Sequence, residues 1–134
     1  MIKNNKWFKI VILYYLPAFL WMGLIFYLSS IPGLRTGVES VSLEIFFRKV
    51  AHISEYLILS FLVWRIFKDI WRLNSSKAQL ATLIFCFSFA LSDEIHQNFV
   101  ENRAGRMVDV FVDLAGISAG IILGEYLVKI KKRK

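Results

Sequence analysis

Four long apolar stretches organise the chain. Ile10 to Leu28 runs 19 residues without a charge, close to the ~20 a helix needs to cross the hydrocarbon core of a bilayer. Trp7, Tyr14, Tyr15, Trp21 and Tyr27 place aromatic rings along it, and Pro17 predicts a local kink. A basic start at Lys3, Lys6 and Lys9 also suits a secretory signal. The apolar run exceeds the ~7–15 residues of a signal core, however, and Ser29-Ser30-Ile31-Pro32-Gly33 is a poor cleavage site. The stretch reads as an uncleaved first span over 8–28. A second span covers 50–67, broken only by His52, Glu55 and Arg65; a third covers 78–99, uncharged until Asp93. The fourth covers 107–128, ahead of a basic tail at 129–134. Val38 to Phe47 alternates polar and apolar residues and suggests a short interfacial helix.

Composition agrees with this pattern. The chain has 134 residues and is 57% apolar, against ~45–50% for an average soluble domain. It has no repeat or long linker, and it predicts an all-α, integral membrane four-helix bundle forming one domain over 1–134. One Cys excludes a disulfide scaffold, and the apolar content excludes a disordered chain. The net charge of +7 does not signal a nucleic-acid partner, because the apolar runs are too long for a small basic DNA-binding domain.

The order of the charges gives orientation. The N-terminus, the loop after the second span and the tail hold 12 basic and two acidic residues, or +10. The opposite side holds five basic and eight acidic residues, or −3. Basic residues accumulate on the cytoplasmic side of membrane proteins. Both termini are therefore expected in the cytoplasm, with the tail against anionic inner-leaflet lipid.

Ionisable residues in spans cost ~2.5–3.5 kcal/mol near mid-bilayer on insertion scales, and here they gather at the outer ends. Arg48, His52 and Glu55 form an i, i+4, i+7 stripe on the second span. Asp93, Glu94, His96 and Gln97 share an arc of the third, and Asp109 and Asp113 share a face of the fourth. Arg103 and Arg106 lie in the loop between them. Pairs such as Arg48–Glu55 or Arg103–Asp109 alone suit helix-to-helix glue. The whole set exceeds that need and points to a functional cavity. Gly116, Gly120 and Gly124 continue the Asp109–Asp113 face, which predicts close helix packing, within the chain or in an oligomer. Glu125 lies on another face, four residues before Lys129, and suits an interfacial pair; Cys86 reads as an inert packing residue.

At these residues the chain resembles the VanZ-like family of small bacterial membrane proteins. The segments that carry the resemblance are Ser29-Ser30-Ile31-Pro32-Gly33 and Arg48-Lys49-Val50-Ala51-His52-Ile53-Ser54-Glu55-Tyr56. They continue with Ser92-Asp93-Glu94-Ile95-His96-Gln97-Asn98-Phe99, Arg103, and Asp109-Val110-Phe111-Val112-Asp113-Leu114-Ala115-Gly116. One departure is visible: Glu101-Asn102-Arg103 stands where such proteins often have Pro-Gly-Arg. The resemblance implies a protein of the bacterial cell envelope. The founding member is tied to low-level resistance to teicoplanin, a glycopeptide that binds peptidoglycan precursors.

Several chemistries suit this residue set. In an enzyme, His52 and His96 exchange protons, with Glu55, Asp93, Glu94 and Asp109 as acid–base partners. Arg48, Gln97, Arg103 and Asp113 then bind the substrate, and a lipid-linked or peptide envelope molecule carries phosphates and carboxylates that suit the arginines. A non-catalytic binding, transport or scaffold role uses the same cavity. Metal binding is the minor reading, through His52-x-x-Glu55 and Asp93-x-x-His96. No metal or other cofactor is expected; membrane lipids are the expected partners.

Overall fold

The computed structural model describes residues 6–32, 40–103 and 105–133. Lys3, Gly33, Arg35, Glu39, Lys134 and the Val38 start of the expected interfacial helix lie outside them. The described chain folds into α1 Lys6–Ser29, α2 Val41–Ile70, α3 Ser75–Gln97 and α4 Met107–Arg133. All four helices are long and apolar enough to cross a membrane, and no strand occurs among the described residues.

Local chemistry explains most of the boundaries. In α1 a π turn at Val11–Tyr15 lies just ahead of Pro17, and the Leu16 N–H reaches back five residues to the Val11 carbonyl. Pro17 has no N–H and its ring crowds the preceding turn, so a widened turn absorbs the mismatch. Helix α3 starts at Asn74, whose side chain accepts the Lys77 N–H. The interfacial helix expected before the second span needs correction: from Val41 its residues are the first turns of α2 itself. No Gly or Pro interrupts Val41–Arg65, so nothing ends the helix where Arg48 and Lys49 interrupt the apolar pattern. Val41, Leu43, Phe46 and Phe47 stay exposed on this extension.

Consecutive helices run antiparallel. Tyr14 and Trp21 of α1 meet Asp69 and Glu55 of α2 in reverse order, through Tyr14 OH to Asp69 Oδ2 and Trp21 Nε1 to the Glu55 carbonyl. Helices α2 and α4 therefore run parallel, and theirs is the most extensive contact in the bundle. Along that seam a Cβ on Gly116 would strike the Ile53 carbonyl, one on Gly120 the Leu57 carbonyl and Ser60, and one on Gly124 the Trp64 ring. The glycine face is thus spent within the chain, and a second copy would have to use another surface.

The apolar core joins Ile25 of α1 to Tyr56, Leu59, Val63 and Trp64 of α2, Cys86 and Ala90 of α3, and Ile117 and Ile121 of α4. Large apolar side chains such as Phe19, Leu20, Ile84, Phe111 and Ile122 face outward, as lipid contact requires. Gly120→Val should cost about 1–3 kcal/mol, the usual scale of overpacking, and lower the melting temperature of the detergent-purified protein. Gly23→Ala, where a Cβ meets nothing within 4 Å, should leave that temperature unchanged.

Candidate functional site

Up-and-down topology puts the C-terminal ends of α1 and α3 beside the N-terminal halves of α2 and α4. The ionisable residues expected at the outer ends of the spans collect there. His52, Asp93, Glu94, Asp109 and Asp113 are buried, with Asp113 0% and Asp93 1% exposed. Gln97 is buried too, while Arg48, Glu55, His96 and Arg103 are half-buried.

The centre is a contact between the two parallel helices. His52 Nδ1 lies 2.9 Å from Asp113 Oδ1. Nδ1 donates to the carboxylate, which holds the imidazole plane and places its proton. Gly116 lies one turn beyond Asp113, and its missing side chain lets α2 come close enough for this bond.

A second network links α1 to α3. Ser29 donates to Asp93 Oδ2 at 2.9 Å, and the Gln97 amide donates to the same oxygen at 3.0 Å. Gln97 also lies 3.5 Å from Glu94 Oε1. The other oxygen of Glu94 accepts the Arg106 N–H at 2.7 Å, just ahead of α4. A carboxylate there satisfies a free backbone donor and complements the positive end of the helix dipole.

The loop between α3 and α4 is tied down on both sides. Asn98 donates to the Glu94 carbonyl and accepts the Gly105 N–H. A Cβ on Gly105 would collide with that Glu94 carbonyl, so glycine is required at this crossing. Arg103 reaches the end of α1, donating to the carbonyls of Leu28 at 2.8 Å and Ile31 at 3.2 Å. Burial lowers the pKa of this guanidinium from its ordinary value, and the repulsion of Arg48 adds to that, while Asp93, Glu55 and Glu94 oppose it. It stays charged at any working pH. Glu101 and Asn102 also find their explanation here. Arg103 N–H bonds to the Val100 carbonyl and Asn102 has φ 58, the pattern of a turn favouring Pro second and Gly third. Asparagine tolerates this left-handed conformation better than other side chains, so the turn is kept without the Pro-Gly pair.

Several expected groupings come apart. Arg48 forms no ion pair with Glu55, and Arg103 none with Asp109, among the described residues. Arg103, expected to bind substrate, commits two of its N–H groups to backbone carbonyls. His96 turns away from Asp93: its Nε2 lies 2.9 Å from Ser30 Oγ and its ring stacks on Phe26. The Ser30 proton already goes to the Phe26 carbonyl at 2.6 Å, so the His96 Nε2 is the donor in that contact. Glu125 accepts from Trp64 Nε1 at 3.3 Å instead of pairing with Lys129.

Two participants were not singled out as site residues. Ser29 supplies Asp93 with a hydrogen bond, and its place in the Ser-Ser-x-Pro-Gly segment was the available signal. Tyr56 is 0% exposed and its hydroxyl, with Asp93 Oδ1 and Asp113 Oδ2, has no hydrogen-bond partner among the described residues. Its spacing of four from His52 puts it on the same stripe of α2.

Compared with known proteins, residues 12–128 match the family model described as VanZ/LLP1. The chain belongs to the VanZ/LLP1 family. No curated protein and no solved structure shows significant similarity to it. The match runs from α1 to near the end of α4 and so contains the whole polar cluster of this VanZ/LLP1 protein.

Arg103→Ala would leave the carbonyls of Leu28 and Ile31 without their charged donor. It should destabilise the protein by about 1.5–3 kcal/mol, the scale of hydrogen bonds to charged groups, read as a lower melting temperature in detergent. Asn102→Gly should match or exceed the parent protein in the same measurement.

Proposed function

We propose that this VanZ/LLP1 protein works at the outer face of the bacterial cytoplasmic membrane, on a lipid-linked or peptide molecule of the cell envelope. The observation that carries this reading is the buried cluster around His52 and Asp113. Pairing returns little for burying so many ionisable groups in lipid: membrane hydrogen bonds average only ~0.6 kcal/mol, against ~2.5–3.5 kcal/mol for an ionisable group near mid-bilayer. Such groups in a span mark a working site by default.

The chemistry follows from the roles already assigned by contact. Asp113 holds the His52 imidazole in one orientation, which suits a group that exchanges protons or binds an electrophile. Asp93 and Glu94 bring further carboxylates to the same end, and half-buried Arg48 suits an anionic headgroup. Beyond the cluster the core is apolar through Leu59, Val63, Cys86, Ile117 and Ile121. Ser60 and Thr82 are buried there but donate to carbonyls of their own helices. That favours action at one face over passage through a single bundle.

A binding or scaffold role is the second reading. The mutually bonded Ser29, Asp93 and Gln97, with the Arg103 clamp, favour it because they tie helices together.

Two measurements test the proposal. In a Gram-positive host, the parent protein should raise the minimum inhibitory concentration of teicoplanin. His52→Ala and Glu94→Gln, present in the membrane at equal amounts, should lose that effect; retention would sink the catalytic version, and no effect of the parent would remove the glycopeptide link. For orientation, green fluorescent protein fused after Lys134 should fluoresce, and alkaline phosphatase at the same place should be inactive. The opposite pattern would put the site on the cytoplasmic side.

A further inference from the structure

We infer that His52, Glu94 and Asp113 hold a divalent first-row metal ion, of the Zn²⁺ or Mn²⁺ class, between α2, α3 and α4. One donor atom from each residue lies within 4.8 Å of the others, and all three residues are buried. Donors ~2.0–2.6 Å from a common ion lie roughly 3–5 Å from one another. The three side chains therefore already stand near coordinating distance. They come from three different helices, so no sequence spacing could reveal the set.

Unpartnered atoms give the second observation. Asp113 is fully buried; its Oδ1 takes the His52 contact while Oδ2 has no hydrogen-bond partner among the described residues. Asp93 Oδ1 and the Tyr56 hydroxyl, on the neighbouring turns of α3 and α2, are likewise buried and unpartnered. Buried polar atoms are nearly always satisfied, and an orphaned carboxylate oxygen on a residue of this set is what an ion or its bound water would complete. Glu94 supplies a carboxylate whose far oxygen is anchored by the Arg106 N–H, which limits its motion.

Charge and donor type set the ion class. Two carboxylates and a neutral imidazole balance a 2+ ion, whereas the same groups with no cation would oppose two negative charges inside the bundle. The imidazole nitrogen favours Zn²⁺ or Mn²⁺ over Ca²⁺, which prefers an all-oxygen shell. The pairs suggested by helical spacing, His52 with Glu55 and Asp93 with His96, are not the set that forms.

This inference deepens the proposed site but does not depend on its substrate, because metal content can be read without any turnover. The full chain, purified in detergent without chelator, should carry about one Zn²⁺ or Mn²⁺ per chain by inductively coupled plasma mass spectrometry. Glu94→Gln and Asp113→Asn should carry at least about tenfold less, and His96→Gln should keep the parent amount. Adding the same ion to chelator-stripped parent protein should raise its melting temperature, which covers the case in which a variant does not fold. Metal-free parent protein with no thermal response to either ion overturns the inference, and so does undiminished metal in both Glu94→Gln and Asp113→Asn. Neither outcome touches the teicoplanin assay, so the envelope reading stands or falls separately.

Discussion

Close approach of two parallel helices is the constraint on which the site depends. Gly116, Gly120 and Gly124 remove every obstacle along one face of α4, and the α2 backbone occupies the space. Two polar contacts then fix the register. His52 bonds to Asp113 and Trp64 to Glu125, and in each pair the partners are 61 residues apart in sequence. A slide of one helix past the other would break both contacts and drive side chains into the glycine notches. Interiors packed to that density do not yield by small amounts.

Around this seam the remaining elements act as braces. Arg103 hooks the α3–α4 loop onto the last turn of α1, the helix with the least buried surface. Glu94 covers the start of α4 from the end of α3. Most polar side chains at this end therefore have two tasks: they join helices, and they keep neighbours such as Asp113 in place. Among the described residues, those with buried atoms left without a partner are Asp113, Asp93 and Tyr56. In a medium with no water to satisfy them, unused oxygens of this kind are costly, and helix glue alone does not require them.

The two physical signals in the sequence differ in reach. Hydropathy reports on the solvent of each residue, so the four spans and their apolar outer faces were legible in the chain. The glycine spacing was equally legible as a packing face, because only small residues admit a second backbone. What hydropathy blurred was the start of α2: Arg48 and Lys49 interrupt the pattern, yet a helix without Gly or Pro simply continues through them. Residue type alone also did not reveal the contacts of Arg103 and His96. A guanidinium near carboxylates looks like a ligand-binding group, but two backbone carbonyls at the end of α1 were nearer. An imidazole next to Asp93 and Glu94 in the chain looks like their partner, but the turn of α3 points it at Ser30.

By itself, then, the sequence determined the all-α membrane architecture, the end of the bundle where the ionisable groups gather, and the face on which α4 packs. These follow from periodicity and burial, which act along one helix at a time. Only the tertiary structure decided which groups meet: His52 with Asp113, Asp93 with Ser29, Glu94 with the start of α4. Those choices depend on rotation and register between helices, and side chains on separate helices set them together.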